Sequence, residues 1–107
     1  MSNTKNISVD LTPKKTKDEI EDLPSMQIQT LVNNEVRQQA EVRDLIFDIP
    51  TLIETLTLTG TLLAGDVIAT GTPVGVGIGF TPPKFLKSGD KVVINVTGLG
   101  SLENPVI

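Results

Sequence analysis

The sequence predicts a mainly β domain with one short helix, and three kinds of pattern along its 107 residues support this. Residues 26–32 alternate between apolar and polar, two later segments place Gly-Asp before β-branched runs, and one segment has helical periodicity. The segments between them are rich in Gly and Pro. Short strands joined by such loops favour a sandwich, roll or barrel-like arrangement over a parallel α/β fold.

A β-hairpin is predicted over residues 26–40. The stretch "MQIQTLV" has a period of two, which is typical of a half-buried strand, and Gln27 and Gln29 lie on its polar face. Its other face holds Met26, Ile28, Thr30 and Val32. Because asparagine tolerates positive φ, the following pair Asn33-Asn34 suits a two-residue hairpin turn.

The helix is predicted in "DIPTLIETLT". Its apolar residues follow the i, i+3, i+4, i+7 pattern at Ile49, Leu52, Ile53 and Leu56. Asp48 can cap the N-terminus, Pro50 lies in the first turn where proline is tolerated, and the helix should end near Gly60. We interpret its apolar stripe as part of the core.

Two further segments, "AGDVIATG" and "SGDKVVINVTG", have similar patterns. Gly65 and Gly89 would supply turns, and strands would follow at Val67-Ile68 and across Val92, Ile94 and Val96. Two consecutive prolines prevent "TPPKFLK" from being a central strand. The stretch "GLGSLENPV" is expected to form a turn with a short edge segment.

The domain is expected to cover residues 24–107. Residues 1–23 are polar, carry most of the lysines and show no sustained period, so they are interpreted as a loosely ordered lead-in. Nothing near its acidic cluster supplies fixed metal geometry, so a solvated turn or helix start is favoured for Asp18, Glu19, Glu21 and Asp22. With no signal-peptide core and no membrane-length apolar run, we expect a soluble cytoplasmic protein.

The amino-acid composition limits which partners and which catalytic groups the protein can use. The chain has 13 Asp plus Glu against 9 Lys plus Arg, and its three aromatic residues are all Phe. Neither a basic nucleic-acid footprint nor a base-stacking platform is therefore expected. Because Cys and His are absent, a thiolate nucleophile, an imidazole base and a histidine metal ligand are excluded. The groups that remain available for catalysis or binding are carboxylates, lysines, hydroxyls, backbone amides and a metal held by carboxylates.

The stretch "ATGTPVGVGIGF", residues 69–80, contains four glycines. A P-loop needs Gly-Lys-Ser/Thr at its end, and a dinucleotide loop opens a helix. Here the glycines lead into Phe80, Thr81 and two prolines, so a nucleotide loop is disfavoured. Glycines also let a backbone approach a ligand closely or merely follow a tight path, and composition alone favours the second, a loop without a binding role.

Five motifs occur in order along residues 17–106: "VN-x-E-x-RQ", "DLIF", "TL-x-x-GDVI-x-TGTP-x-GVG-x-G", "PP-x-FLK-x-GD" and "G-x-G-x-L-x-NPV". In this order and spacing they resemble the C-terminal part of the catalytic domain of the fumarylacetoacetate hydrolase family. The resemblance implies a mixed β-sandwich roll, usually in homodimers. Asn34 stands where the family usually has Gly, and Glu103 stands where a basic residue is common.

The resemblance also implies a class of chemistry. Family members cleave C–C bonds of acylpyruvates and related β-diketo acids, or decarboxylate or isomerise 2-oxo acids. They use Mg²⁺ or a similar divalent cation, such as Mn²⁺ or Ca²⁺, held by acidic side chains. Such a cation would polarise a 2-oxo acid and stabilise an enolate leaving group. The implied partner is a small 2-oxo acid, with no nucleic acid and no membrane.

The family's metal ligands and the lysine of its "GKSFD"-like motif lie upstream of the hairpin, and this sequence is expected not to contain them. "SVDLTP" at residues 8–13 only faintly resembles the lysine motif, because Ile7 stands where the lysine would be. No metal ligand is therefore carried onto Asp10 or onto the acidic cluster. No catalytic residue is assigned, and this chain alone is expected to bind no metal and to be inactive.

Two positions carry over from the family as substrate-binding residues, Gly71 and Thr72 of "TGTP". In the family this threonine contacts the carboxylate or keto oxygen of the substrate, and the glycine leaves room for it. A threonine hydroxyl can donate one hydrogen bond to such an oxygen. The alternative is a turn hydroxyl that bonds to local backbone.

Three functions remain open. In the first, the chain is an enzyme of this family, or one part of such an enzyme that an N-terminal half from elsewhere completes. In the second, it is a non-catalytic remnant that dimerises or binds a partner. In the third, it is a 2-oxo-acid binding module that uses Thr72 without a metal. In each case exposed strand edges or apolar patches are expected, and the isolated chain should be weakly stable or associated.

Overall fold

The computed structural model describes residues 17–107, which form a four-stranded antiparallel sheet and one helix. The strands are β1 (Gln27–Val32), β2 (Glu35–Glu41), β3 (Lys91–Val96) and β4 (Gly100–Pro105), and the helix α1 spans Ile49–Thr57. The sheet order is β2-β1-β3-β4, so two hairpins meet through the pair β1–β3. The predicted mainly β domain with one short helix is confirmed. Most of the predicted lead-in, residues 1–16, lies outside the described residues.

The first hairpin turns at Asn33 and Asn34, whose φ angles are 49° and 67°. Positive φ at both central residues gives a turn whose twist matches that of the flanking strands. The predicted hairpin and its asparagine turn are therefore confirmed. Asn33 also links this turn to the start of β3, because its side-chain amide donates to Asp90 Oδ1 at 2.8 Å and its oxygen accepts from the backbone N–H of Lys91 at 2.9 Å.

Strand β2 contains a β-bulge that the sequence pattern does not show. Thr30 of β1 pairs with Gln38, whereas Leu31 pairs with Val36, which leaves Arg37 as the extra residue. Directly paired residues point to the same side of a sheet. The bulge therefore sets Gln38 on the same side as Thr30.

The two faces of the sheet carry different side chains. On one face, hydrogen-bonded side chains cross all four strands; this ladder face is defined by Gln39, Gln29, Asn95 and Ser101. The Gln29–Gln39 bond is 3.0 Å long and the Asn95–Gln29 bond 3.3 Å. The opposite side, the loop face, holds Ile28, Thr30 and Val32 of β1 and Val92, Ile94 and Val96 of β3. The predicted alternation of β1 is confirmed.

The two Gly-Asp segments form the same turn, at residues 63–66 and 87–90. In each, the Asp N–H donates to the carbonyl of the first residue, at 3.1 and 3.0 Å, and the Asp carboxylate accepts from that residue's N–H, at 2.7 and 2.8 Å. The glycines have φ of 93° and 92°, as a type II turn requires. β3 follows the second turn as predicted. The predicted strand at Val67-Ile68 is wrong, because these two residues belong to none of the strands in the described part of the chain.

The helix α1 begins after Asp48, whose carboxylate accepts from the Thr51 N–H at 2.9 Å. Hydrogen bonds from Thr51 hold the pKa of Asp48 below its usual value. The predicted cap and the proline in the first turn are confirmed. The interpretation of the apolar stripe as core is wrong, since Ile53 is 43% exposed and Leu56 is 42% exposed. Across residues 17–107, no helix is long and apolar enough to span a membrane.

Burial in the described part of the chain is slight. Met26 and Val32 are its only buried apolar side chains, whereas Ile46 is 93% and Val74 90% exposed. An apolar sheet face is normally covered by a second layer of structure. Here the glycine-rich loop covers part of the loop face, and the remaining apolar surface has the character of an interaction surface.

Candidate functional site

The glycine-rich segment packs its backbone against the bulge of β2. A Cβ atom on Gly75 would lie 1.9 Å from the carbonyl oxygen of Arg37, and one on Gly77 would lie 2.2 Å from that of Lys84. Gly75 also has a φ of 110°. Such distances leave no room for any side chain, so these two glycines serve close backbone contact. The loop is therefore fixed in place, and its earlier part, residues 71–73, lies next to β2.

The side chain of Gln38 holds the Thr72 hydroxyl. Gln38 Nε2 donates to Thr72 Oγ1 at 2.7 Å and to the carbonyl oxygen of Pro73 at 3.0 Å. The partner of this hydroxyl is thus a side chain of β2 and not local backbone. A threonine oxygen that accepts one hydrogen bond still has its own proton to donate. Because Thr72 is exposed, that proton is accessible to an oxygen of a ligand.

Gly71 lies beside Thr72 in an open position. Its φ is 95°, and a Cβ built on it would meet no atom within 4 Å. The backbone conformation, rather than crowding, is therefore what favours glycine here. The two residues predicted to bind substrate are adjacent and exposed, with free space at the position of a Gly71 side chain.

A charged cluster joins the loop to the sheet at the other end of the bulge. Glu35 Oε1 lies 2.9 Å from Lys84 Nζ and 2.7 Å from Arg37 Nε, the second contact without the alignment of a hydrogen bond. Lys84 Nζ and Arg37 Cζ lie 4.7 and 5.5 Å from the centre of the Phe80 ring. The hydrogen bond and charge of Lys84 hold the pKa of Glu35 below its usual value. Two cations share one carboxylate, so the cluster is net positive.

A groove of about 550 Å³ separates the loop from the sheet. Its sides are mainly apolar, and four residues contribute polar side chains: Thr30, Arg37, Gln38 and Lys84. An apolar groove with a few convergent polar groups is typical of a small-molecule site. A shallow, widely open one is also typical of a surface that another part of a protein covers.

The described residues do not fit a divalent cation. Within 17–107 no three acidic side chains come together as a group that could hold a metal ion, and this range includes the acidic cluster at 18–22. A hard cation such as Mg²⁺ needs several oxygen ligands in fixed geometry. Asp10, the other acidic position considered from the sequence, lies outside the described residues.

Sequence reasoning singled out Thr72 but missed Gln38, its partner. Strict alternation along β2 places Gln38 and Val36 on one side, and the bulge at Arg37 separates them. The "RQ" of the hairpin belongs to the motif "VN-x-E-x-RQ", but that motif does not show which face Gln38 occupies. The bulge places Gln38 on the face of Ile28 and Val32, where a half-buried amide calls for a polar partner.

Comparison with known families gives one match over nearly the whole chain. The family described as Fumarylacetoacetate (FAA) hydrolase C-terminal matches residues 4–107. Oxaloacetate tautomerase YisK of Bacillus subtilis is 53% identical to this chain over 90 residues, which cover 84% of this chain and 30% of YisK.

Solved structures give the same result. Maleylpyruvate hydrolase from Sphingobium sp. SYK-6, in complex with manganese(II) and pyruvate, has a TM-score of 0.76 and 38% identity, covering 87% of this chain and 33% of that one. Fumarylacetoacetate hydrolase from Exiguobacterium antarcticum has a TM-score of 0.80 and 40% identity, covering 86% and 33%. The described residues thus adopt part of this fold, and the chain spans about a third of the length of these relatives.

Proposed function

The chain belongs to the fumarylacetoacetate hydrolase family, and we propose that it supplies the substrate-contacting part of a catalytic site for small 2-oxo acids. The reaction is hydrolysis or decarboxylation of an acylpyruvate-type acid, or isomerisation of a 2-oxo acid. The observation that carries the proposal is the Thr72 hydroxyl, which accepts from Gln38 and keeps its own proton for a ligand oxygen.

The substrate class rests on the relatives and on the chemistry of this hydroxyl. The ligands named for two relatives, oxaloacetate and pyruvate, both carry a carboxylate next to a carbonyl. Either group offers an acceptor oxygen to Thr72. Gly71 adds open space at this point, so the carboxylate end of such an acid can reach the hydroxyl without displacing a side chain.

A divalent cation, when bound, would supply the charge that stabilises an enolate. Since the described residues do not fit such a cation, the proposal places its ligands in the part of the family domain that residues 17–107 do not include. The part of the reaction assigned to this chain is therefore orientation of the substrate. We accordingly propose that a polypeptide of these 107 residues is inactive by itself and becomes active with a complementing portion.

The test combines this chain with the portion of YisK that it does not match. Oxaloacetate tautomerisation and acylpyruvate hydrolysis are measured with Mn²⁺ for the chain alone, for the YisK portion alone and for the mixture. We expect activity in the mixture only. With Thr72→Val, which removes the hydroxyl and keeps the shape, the mixture should show about a tenfold higher KM, since a hydrogen bond to a charged oxygen contributes at least about 1.5 kcal/mol.

The matched control is Thr61→Val, which makes the same change at an exposed threonine earlier in the same segment. It should leave KM and kcat unchanged. Turnover by the 107-residue chain alone would overturn its assignment as one part of a site. Equal KM values for the Thr72→Val and wild-type mixtures would overturn the role of the hydroxyl.

A second function, a non-catalytic dimerisation or 2-oxo-acid binding module, is favoured by the absence of an acidic ligand group in the described part. Calorimetry with Mn²⁺ and oxalate, a 2-oxo-acid mimic, separates the two. Oxalate binding by the chain without any metal dependence, combined with an inactive mixture, would support the binding module. Oxalate binding that requires both Mn²⁺ and the YisK portion would support the enzyme.

A further inference from the structure

Gln38 is the residue of the sheet whose side chain forms a hydrogen bond with Thr72 in the candidate site. Its two amide hydrogens are both used, one on Thr72 Oγ1 at 2.7 Å and one on the carbonyl oxygen of Pro73 at 3.0 Å. The Gln38 side chain is half-buried, whereas Thr72 is exposed. The amide therefore approaches the hydroxyl from the protein side and leaves the solvent side open.

The bulge of β2 provides the platform for this contact. Arg37 is the extra residue, and its carbonyl oxygen touches the loop at Gly75, where a Cβ would lie only 1.9 Å away. The next residue, Gln38, bonds to the same loop at Thr72 and Pro73. Two successive residues of β2 thus fix two points of the loop, one through backbone packing and one through a side chain.

Hydrogen-bond direction follows from this arrangement. A threonine hydroxyl has one proton and can accept two hydrogen bonds. The Gln38 amide nitrogen can only donate, so it occupies an acceptor position of Thr72 Oγ1 and leaves the proton unused. Within residues 17–107, Thr72 Oγ1 donates to no other group at hydrogen-bond distance. The hydroxyl is therefore polarised as a donor toward the open side.

We propose that Gln38 is a positioning residue that fixes the Thr72 hydroxyl as a hydrogen-bond donor to a carboxylate or oxo oxygen of the 2-oxo acid. This rests on the proposed function, in which Thr72 contacts the substrate. Gln38 acts through Thr72 and does not contact the substrate itself. The site thereby offers a hydrogen-bond donor to an acceptor oxygen at this position.

The test uses Gln38→Leu and Gln38→Glu in the mixture with the YisK portion. Gln38→Leu removes the donor and should raise KM for oxaloacetate about tenfold with kcat nearly unchanged. Gln38→Glu places an acceptor opposite the hydroxyl, so Thr72 turns its proton to the new carboxylate and KM rises further. Because a protonated carboxyl can donate again, this KM should fall toward wild type as pH decreases toward the ordinary pKa of a glutamate carboxyl.

The matched controls are Gln39→Leu and Gln39→Glu. Gln39 is the neighbouring glutamine of β2, but its side chain belongs to the ladder face, where it bonds to Gln29. The same two changes there should leave KM and its pH profile as in wild type. A double variant, Gln38→Leu with Thr72→Val, should show no larger KM than Thr72→Val alone, because both changes remove the same donor.

The outcomes separate the two proposals. An inactive wild-type mixture would overturn the proposed function and the role of Gln38 with it. An active mixture in which Thr72→Val raises KM but Gln38→Leu does not would overturn the role of Gln38 only. Additive KM increases in the double variant would also overturn it, since they would mean that Gln38 contacts the substrate directly.

NMR of the unliganded chain gives an independent check of the hydrogen bond between Gln38 and Thr72. Thr72→Val should shift the Gln38 side-chain amide protons upfield, and unchanged shifts would contradict the hydrogen bond.

Discussion

The ladder face and the loop face of the sheet differ in where their partners come from. On the ladder face, Gln29, Asn95 and their neighbours bond to one another across adjacent strands. On the loop face, the strands present apolar side chains, and only Val32 among those of β1 and β3 is buried. The polar side chains of the ladder face thus find partners within the sheet, whereas the loop face has the composition of a surface that a second layer normally covers.

The ion pairs differ between the two faces in the same way, since one joins adjacent strands and the other joins a strand to a distant segment. Lys91 and Glu103 form an ion pair of 3.2 Å between the adjacent strands β3 and β4, on the ladder face. Glu35 instead pairs with Lys84, which comes from the segment that follows the glycine-rich loop. Contacts of the ladder face thus reinforce the sheet, whereas contacts of the loop face attach distant segments to it. The function proposed above depends on the second kind.

The largest effect is expected where the loop meets the bulge. Gly75→Ala would place a Cβ 1.9 Å from the carbonyl oxygen of Arg37, at a φ of 110° that alanine disfavours. We expect a loss of about 2–4 kcal/mol in the free energy of unfolding, or detachment of the loop from the sheet. Urea denaturation measures the first, and hydrogen exchange of residues 71–79 the second.

The control for this substitution is Gly60→Ala, because a Cβ at Gly60 would meet nothing within 4 Å and its φ is not positive. It should change the unfolding free energy by no more than about 0.5 kcal/mol. Equal stability of the two alanine variants would show that the loop does not rest on the bulge as described.

An intermediate effect is expected when a charge is placed on one face or the other of β1. Ile28 lies on the loop face and is 39% exposed, and its neighbour Gln29 lies on the ladder face. Ile28→Glu should weaken association with the YisK portion about tenfold or more, because a covering layer would bury the carboxylate without a partner. Gln29→Glu should leave association unchanged. Titration followed by calorimetry measures both, and equal losses would mean that the loop face is not the covered one.

The smallest effect concerns pH. The hydrogen bond and charge of Lys84 lower the pKa of Glu35 in the folded chain, so the unfolded state binds the proton more tightly. The resulting stability is present above the ordinary pKa of 4.5 and is lost as pH falls through the lower, folded value. Glu35→Gln should therefore flatten the decline of the unfolding free energy below pH 4.5. A Lys84→Gln variant should flatten it similarly, and a decline as steep as in wild type would contradict the pair.

Local features of this fold were predictable because their causes are local. Two asparagines in sequence set the hairpin turn, Asp48 caps the helix, and the Gly-Asp pairs form turns through their own backbone and side-chain bonds. Features that depend on a partner elsewhere were not predictable. Val67-Ile68 has strand propensity but no strand beside it, and the helix stripe has helical periodicity but no layer to bury it.

The residues of the candidate site also differ in whether the sequence alone could indicate them. Thr72 and Gly71 could be singled out because they lie in one short motif that resembles a known family. Gln38 could not, since its approach to Thr72 joins positions 34 apart in the chain and depends on a bulge at Arg37. A bulge reverses the alternation of all later side chains in a strand, and no single-sequence pattern shows where that happens.

The strand order β2-β1-β3-β4 has a consequence for how the chain folds. Each outer pair is a local hairpin, whereas the bonds between Asn33 and Asp90 or between Gln27 and Thr97 join residues 57 and 70 apart. Because closing so long a loop costs entropy before it gains contacts, we expect the two hairpins to form before the central pair. The glycine-rich loop belongs to the segment that this late step closes. We therefore expect the folding rate to depend on the meeting of β1 and β3, whereas the contact of Gln38 with Thr72, 34 positions apart, closes a shorter loop.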